Sequence, residues 1–297
     1  MIEPSNERKE GTKRNYRKAM KHFLGFLKSE KLEDMPLPDF KYSHANAFKN
    51  YMMSEEVNNS AVSASSNVRR IKTMFNEAIN FDLITKNPFK GVKMTYVGDA
   101  KTPSLSTEQV KAIIMCPEVL ADPSLKFYRD MFLFGCFTGL SCISIQNLNT
   151  GILSILKDGN LKLDTRREKT NSPIVQIIPK VAQEIIFRYC DFNQGGRVQV
   201  FPKFVNEVFN HKLKVIGALL KLNINLSTKI SRTTCAQMLV NVRYIDPVYK
   251  NYFMGWSNTG QIADVYQTLN DDVLVENAEM INEYLVNNIG EEVLKNI

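Results

Sequence analysis

The stretch ILSILKDGNLKLDTRREKTNSPIVQII (Ile152–Ile178) decides how this chain of 297 residues is read, because it holds the only convincing extended runs. Ile152 to Leu156 is followed by Asp158-Gly159, a pair favoured in hairpin turns because both residues tolerate positive φ. Asn160 to Lys169 then alternates, with Leu161, Leu163, Thr165, Arg167 and Lys169 on one face. Asn171-Ser172-Pro173 marks a second turn, and Ile174 to Ile178 a third strand. A small three-stranded antiparallel sheet is expected, set among helices.

On both sides of this stretch the apolar period is helical. Tyr16, Ala19, Met20, Phe23, Leu24 and Leu27 fall on one stripe after Thr12, a candidate N-cap. Ala45, Phe48, Tyr51 and Met52 mark a second helix. Val68, Ile71, Phe75, Ala78 and Ile79 mark a third, which Asn87-Pro88 stops. Gly91, Gly98 and Pro103 suggest a linker. Ser106 with Gln109 has capping-box spacing, and Leu105 with Val110 supplies a hydrophobic staple, so a helix opens a new domain there. An apolar helix over 125–140 ends at Gly139. Past Pro179 helices are expected over 180–190, 204–222, 228–241, 245–254, 261–268 and 274–288. The predicted organisation is a helical domain at 1–95, a linker at 96–104 and a second domain at 105–297.

Composition narrows the function classes. Hydrophobic residues at 44% and charged residues at 23% describe an ordinary globular chain and exclude disordered and fibrous classes. No run approaches the ~18 apolar residues of a spanning helix, so no membrane role is expected, and the polar start carries no secretory signal. Five cysteines without a CxxC pair and three scattered histidines argue against a metal site and for buried thiols in a reducing cytoplasm. Net charge is +7 but uneven: residues 264–297 carry one lysine against eight acids, so the body before them is strongly basic. A basic body suggests a polyanionic partner, though a merely lysine-rich surface would look the same.

Four further landmarks follow in order. Phe132-Leu133-Phe134-Gly135-Cys136-Phe137-Thr138-Gly139-Leu140 precedes the hairpin, and Lys169-Thr170 lies within it. Lys229-Ile230-Ser231-Arg232 opens a helix, and Gly255-Trp256 stands ten residues before Tyr266. In order and spacing the chain resembles the tyrosine recombinases (phage-type integrases) over roughly residues 12–270. The resemblance implies a mainly α fold. A helical SAM-like core-binding domain would precede an α+β catalytic domain with a small three-stranded antiparallel sheet. It also implies DNA strand exchange without metal or cofactor. A tyrosine attacks a phosphodiester and keeps the bond energy in a 3′-phosphotyrosine, releasing a 5′-hydroxyl. Charge gathers on the phosphate, so guanidinium donors hold its oxygens, and the departing oxygen needs an acid.

Carried over residue by residue, Tyr266 matches the nucleophile, Arg232 the phosphate clamp, Lys169 the hairpin general acid and Trp256 the His-or-Trp buttress. Tyr266 stands one residue farther from Gly255-Trp256 than in the commonest members. The box-one arginine is replaced by Ser141, and the acid three residues on by Ser144. The usual His of His-x-x-Arg is Lys229. Losing one phosphate donor costs about 10²–10³ in rate. Arg167 shares a strand face with Lys169 and could replace the lost guanidinium. The conjugative-transposon branch is similar, with Ser at box one and an Arg before the hairpin Lys. The alternatives are a catalytically silent DNA-binding or accessory protein and a helical protein with no DNA partner.

Two basic clusters, Lys13, Arg14, Arg17, Lys18 and Lys21 on the first helix and Arg69, Arg70 and Lys72 on the third, are expected to meet phosphates. The resemblance implies double-stranded DNA as partner, a homo-oligomer (a tetramer) on it, and a bacterial cytoplasmic, nucleoid-associated location. In the acidic end, 271–297, Leu274, Ala278, Ile281 and Leu285 form a stripe that either docks in trans on a neighbouring subunit or caps the chain's own core.

Overall fold

Helical periodicity builds the first of two units, Met1–Lys101 and Thr102–Ile297, in a computed structural model that describes residues 9–55, 57–94, 102–192, 196–256 and 269–297. Its helices are α1 (Glu10–Ser29), α2 (Tyr42–Met52) and α3 (Ala61–Asn80). They enclose an aromatic core in which Phe23 meets Phe48 edge-on at 5.2 Å and Phe75 packs on Phe89 at 5.2 Å. The buried spine of α1 is Ala19, Phe23 and Phe26, whereas Leu24, expected inside, is exposed. Thr12 is not the N-cap: its amide already donates to Lys9 O, so the helix begins at Glu10. Likewise α3 stops at Asn80, before Asn87-Pro88. Asp82 turns the chain at φ +56, and Leu83 N returns to Ala78 O. Asn87 instead straps the following segment onto α3, its Nδ2 donating to Lys72 O at 2.8 Å, which seats Phe89 in the core.

The second unit opens with α4 (Thr107–Met115), capped reciprocally as predicted: Ser106 Oγ accepts from Gln109 N, and Gln109 Oε1 accepts from Ser106 N. After α5 (Pro117–Ala121), α6 (Pro123–Thr138) runs through the core, capped at its start by Asp122 and closed by Gly139 at φ +67. It carries an ion network centred on the fully buried Arg129 and Asp130. Arg129 Nη2 donates to Asp130 Oδ1 at 2.6 Å and Nη1 to Ile114 O. Asp130 Oδ2 accepts from Arg188 Nη1 and from the Tyr189 hydroxyl. That network ties α6 to α4 and to α8 (Lys180–Tyr189). Such a cluster is tolerated because each charge is paired and hydrogen-bonded.

Following α7 (Cys142–Gln146), strands β1 (Leu153–Ile155), β2 (Leu161–Arg166) and β3 (Pro173–Ile177) form the antiparallel sheet in the order β1-β2-β3. Leu163 faces Leu153 on one side and Gln176 on the other. Strand β2 is shorter than the alternation predicted. Beyond Arg166 the chain enters a turn in which Asn171, at φ +57, donates its amide to Arg167 O, and Arg167 N donates to Ser172 O. Lys169 therefore sits in the turn, and strand alternation does not fix its direction.

The remaining helices among the described residues are α9 (Asn206–Leu219), α10 (Thr228–Asn241), α11 (Pro247–Met254), α12 (Asp271–Ile289) and α13 (Glu291–Leu294), and the helix expected over 261–268 lies outside the described residues. The stripe Leu274, Ala278, Ile281 and Leu285 is buried in this unit's own core, and α12 packs against α4 and β3. Of the two readings of this stripe, the chain by itself shows the cap on its own core. The outer face of α12 keeps the acids, and Asp271 pairs with Lys162 of β2 at 2.6 Å.

Candidate active site

Arg232 lies on the first turns of α10, three residues after Lys229, so both project from one helix face. Its guanidinium is held by backbone carbonyls from two distant helix ends. Nη1 donates to Gly139 O, just past α6, and Nη2 to Met254 O, the last residue of α11. Each helix is closed by a left-handed glycine, Gly139 at φ +67 and Gly255 at φ +56. That conformation is open to glycine at little cost and turns terminal carbonyls away from the helix axis. Helix C-termini also carry partial negative charge, which suits a cation. Close approach adds a second demand. A Cβ on Gly139 would stand 2.5 Å from Met254 Sδ, and one on Gly255 would stand 2.6 Å from Ile174 Cγ1.

Around this arginine opens a cleft of about 650 Å³. It is lined by Arg167, Lys229, Arg232 and Trp256, and by Ser141 at the position where the box-one arginine was expected. Four of the six residues predicted for the catalytic group thus meet, from the β2–β3 turn, from α10 and from the end of α11. Burial, and then the positive charge of Arg167, pushes the Arg232 guanidinium down to about 10, which still leaves it charged at neutral pH. Among the described residues no carboxylate forms an ion pair with Arg167, Lys229 or Arg232.

Ser141 and Ser144 have a local role. Ser141 caps α7 by accepting from Ser144 N, and their hydroxyls share a 2.8 Å hydrogen bond. Where the resemblance expects a guanidinium and a carboxylate, two hydroxyls satisfy each other. Lys169 is exposed in the turn and does not line the cleft. Tyr266 lies outside the described residues. Cys142 departs from the expectation of buried thiols: it is half-buried and lines the cleft, while the other four cysteines are buried and unpaired.

Gln176 gave no signal in the sequence, where it reads as one polar residue in an apolar strand. It is fully buried, and its Nε2 donates to Thr138 O and Phe253 O, the carbonyls next to those that hold Arg232. The glycines after α6 and α11 were the legible half of this arrangement. Among the described residues no cluster of three His, Cys, Asp or Glu side chains could hold a metal ion. No helix of the described residues is long and apolar enough to cross a membrane.

In the first unit the basic clusters lie where the sequence put them, with local neighbours it did not show. Arg14, Arg17, Lys18 and Lys21 are exposed, but Glu10 sits 3.2 Å from Lys13 and 3.8 Å from Arg17. On α3 Arg69 is exposed, Lys72 is half-buried and Arg70 is held by Asn67 Oδ1 at 3.3 Å.

Residues 1–96 match the family described as the phage integrase SAM-like domain. No curated protein matches the chain by sequence. The Tn1549 transposon integrase in complex with a circular intermediate DNA superposes with a TM-score of 0.63 at 17% identity, over 92% of this chain and 94% of that one. The lambda integrase dimer bound to a COC′ core site gives 0.65 at 15% identity, over 90% and 94%. The chain has the tyrosine-recombinase fold. The XerH site-specific recombinase bound to its difH substrate is similar too, at 0.57 and 12% identity over 90% and 78%. Within this tyrosine-recombinase fold the cleft is assembled from segments that are far apart in sequence.

Proposed function

We propose that the chain is a site-specific DNA recombinase or integrase that cleaves and rejoins strands through a 3′-phosphotyrosine. The observation that carries the reading is the convergence of Arg167, Lys229, Arg232 and Trp256 on one cleft beside Ser141. Three cations with no carboxylate ion-pair partner among the described residues are of little use to a core and well suited to a phosphodiester, whose non-bridging oxygens gather charge as the attacked phosphorus becomes pentacoordinate.

In this reading Tyr266 supplies the attacking oxygen and Arg232 takes one non-bridging oxygen. Arg167 supplies the second guanidinium that Ser141 lacks. Lys229 adds a cation at the helix start, and Trp256 packs against the phosphate. Lys169, from the turn, protonates the departing 5′-oxygen. A hydroxyl of a second strand then attacks the phosphotyrosine and releases the phenol, so no external energy source or cofactor enters the balance. The helical unit, with Arg14, Lys18, Lys21 and Arg69 exposed, grips double-stranded DNA through its backbone, and the active assembly is a homo-oligomer, a tetramer, on DNA.

A trap on nicked suicide duplexes tests the reading. Wild-type protein should accumulate a covalent adduct. Tyr266→Phe should form none while binding duplex as before, and Arg167→Ala should cleave as poorly as Arg232→Ala, each down about 10²–10³-fold. Adducts surviving in Tyr266→Phe would remove the nucleophile. Near wild-type cleavage by Arg167→Ala would remove the compensating arginine. Salt-sensitive binding with no adduct at any pH would leave a silent DNA-binding protein.

A further inference from the structure

We propose that Gln176 is a positioning residue, whose buried amide brackets the ends of α6 and α11 so that their next carbonyls fix the Arg232 guanidinium in the cleft. Its link to strand cleavage rests on the function proposed above, but the bracket itself does not.

Gln176 sits on β3 with no exposed surface. Its Nε2 donates to Thr138 O at 3.1 Å and to Phe253 O at 3.2 Å. An amide nitrogen has two hydrogens, so these two acceptors use both. They also decide which end of the amide is nitrogen, since an oxygen there would face two carbonyls. Thr138 O is followed by Gly139 O, and Phe253 O by Met254 O, the pair that receives Arg232. At each end the carbonyl held by Gln176 and the one held by Arg232 lie on adjacent peptide planes. Fixing the first plane leaves the second carbonyl only the torsions of one residue.

Those torsions need restraint. At the α6 end that residue is Gly139, at φ +67, and glycine alone does not hold a carbonyl in one direction; at the α11 end it is Met254, the last helical residue, which the left-handed Gly255 follows. The strand amide fixes the preceding peptide plane at both ends at once. Its own oxygen, Oε1, has no donor among the described residues, which is a cost that an apolar side chain would avoid. The buried neighbours Ile174 and Ile177 on β3 show that the strand otherwise favours such side chains. The amide is explained by its two donors rather than by packing.

The test uses the full chain. Gln176→Met keeps approximate volume and deletes both donors, and Ile177→Val serves as a core control on the same strand. With ¹⁵N-labelled arginine, the Arg232 side-chain signals, identified by their loss in Arg232→Lys, should show slowed rotation of the terminal nitrogens in wild type. In Gln176→Met they should average together, and in Ile177→Val they should not. Adduct formation on a nicked duplex should fall about 10²-fold in Gln176→Met at unchanged duplex affinity, the scale of a misplacement near 1 Å. Arg232 signals that stay resolved in folded Gln176→Met, or that average equally in Ile177→Val, would overturn the proposal. Should Gln176→Met fail to fold, Gln176→Asn is read the same way, because its shorter amide cannot span both carbonyls. A wild-type chain that forms no adduct would defeat the proposed function, while the arginine signals would still decide the bracket.

Discussion

Alanine at position 139 separates two demands that the Arg232 pocket makes on its glycine. The first is conformational: at φ +67 a Cβ costs about 1–2 kcal/mol. The second is steric. The new carbon would stand 2.5 Å from Met254 Sδ and 3.2 Å from Cys235 Sγ, and both residues are buried. Overpacking of this kind adds about 1–3 kcal/mol, so the expected total is roughly 2–5 kcal/mol. Gly159 is the natural control, because at φ +83 it has no atom within 4 Å of the added carbon and carries the conformational demand alone, about 1–2 kcal/mol. At roughly 2–4 °C per kcal/mol for a unit of this size, Gly139→Ala should melt about 4–20 °C below wild type and Gly159→Ala roughly 2–8 °C below. Circular dichroism melting at fixed protein concentration reads both. Adding Met254→Ala to Gly139→Ala should return part of the loss. Equal drops for the two glycine variants would refute the close approach.

Three other outcomes can be measured directly. Burial, and then the charge of Glu207, pushes the Cys142 thiol up to about 11, so at pH 8 only about 10⁻³ of it is thiolate. Its alkylation by iodoacetamide should therefore rise about tenfold per pH unit from 8 to 10 and level off only above 11, and a plateau reached by pH 9 would contradict this. Asp130→Ala removes the acceptor of Arg129, Arg188 and Tyr189 and leaves Arg129 buried without its counter-charge, a loss of about 3–5 kcal/mol by urea titration. A cost under about 1 kcal/mol would show that the network relaxes. Leu285→Ala should cost about 2–5 kcal/mol, and by the same amount at micromolar and at hundred-micromolar chain, because the stripe packs within its own unit. A concentration-dependent loss would favour docking in trans.

Helix positions and the small sheet were legible because both depend on local periodicity. The capping box at Ser106 and Gln109 was legible for the same reason, since its partners are three residues apart. Boundaries that depend on one residue's φ were not: Asn171 ends β2 early, and Asp82 ends α3 before its proline. In the cleft, Arg232 and the two flanking glycines carried a signal, and strand alternation pointed to Arg167, which lines the cleft although β2 stops one residue short of it. Strand alternation does not reach Lys169, because a turn side chain obeys no face rule. Gln176 was invisible because its acceptors are 38 and 77 residues away and are backbone atoms, which no side-chain pattern records. The fate of the α12 stripe was undecidable from spacing, since an apolar face looks the same whether its own core or a neighbour covers it.

The lowered proton affinity of Arg232 beside Arg167 has a practical side. Two repelling cations, one of them held by helix-end carbonyls, make any anion bound between them a stabiliser, by an amount set through mass action on the native state. Phosphate or sulfate buffers would then mask damage that a chloride buffer reveals. Rankings of variants of this protein carry meaning only when the anion is held constant, and the melting point itself becomes a gauge of cleft occupancy.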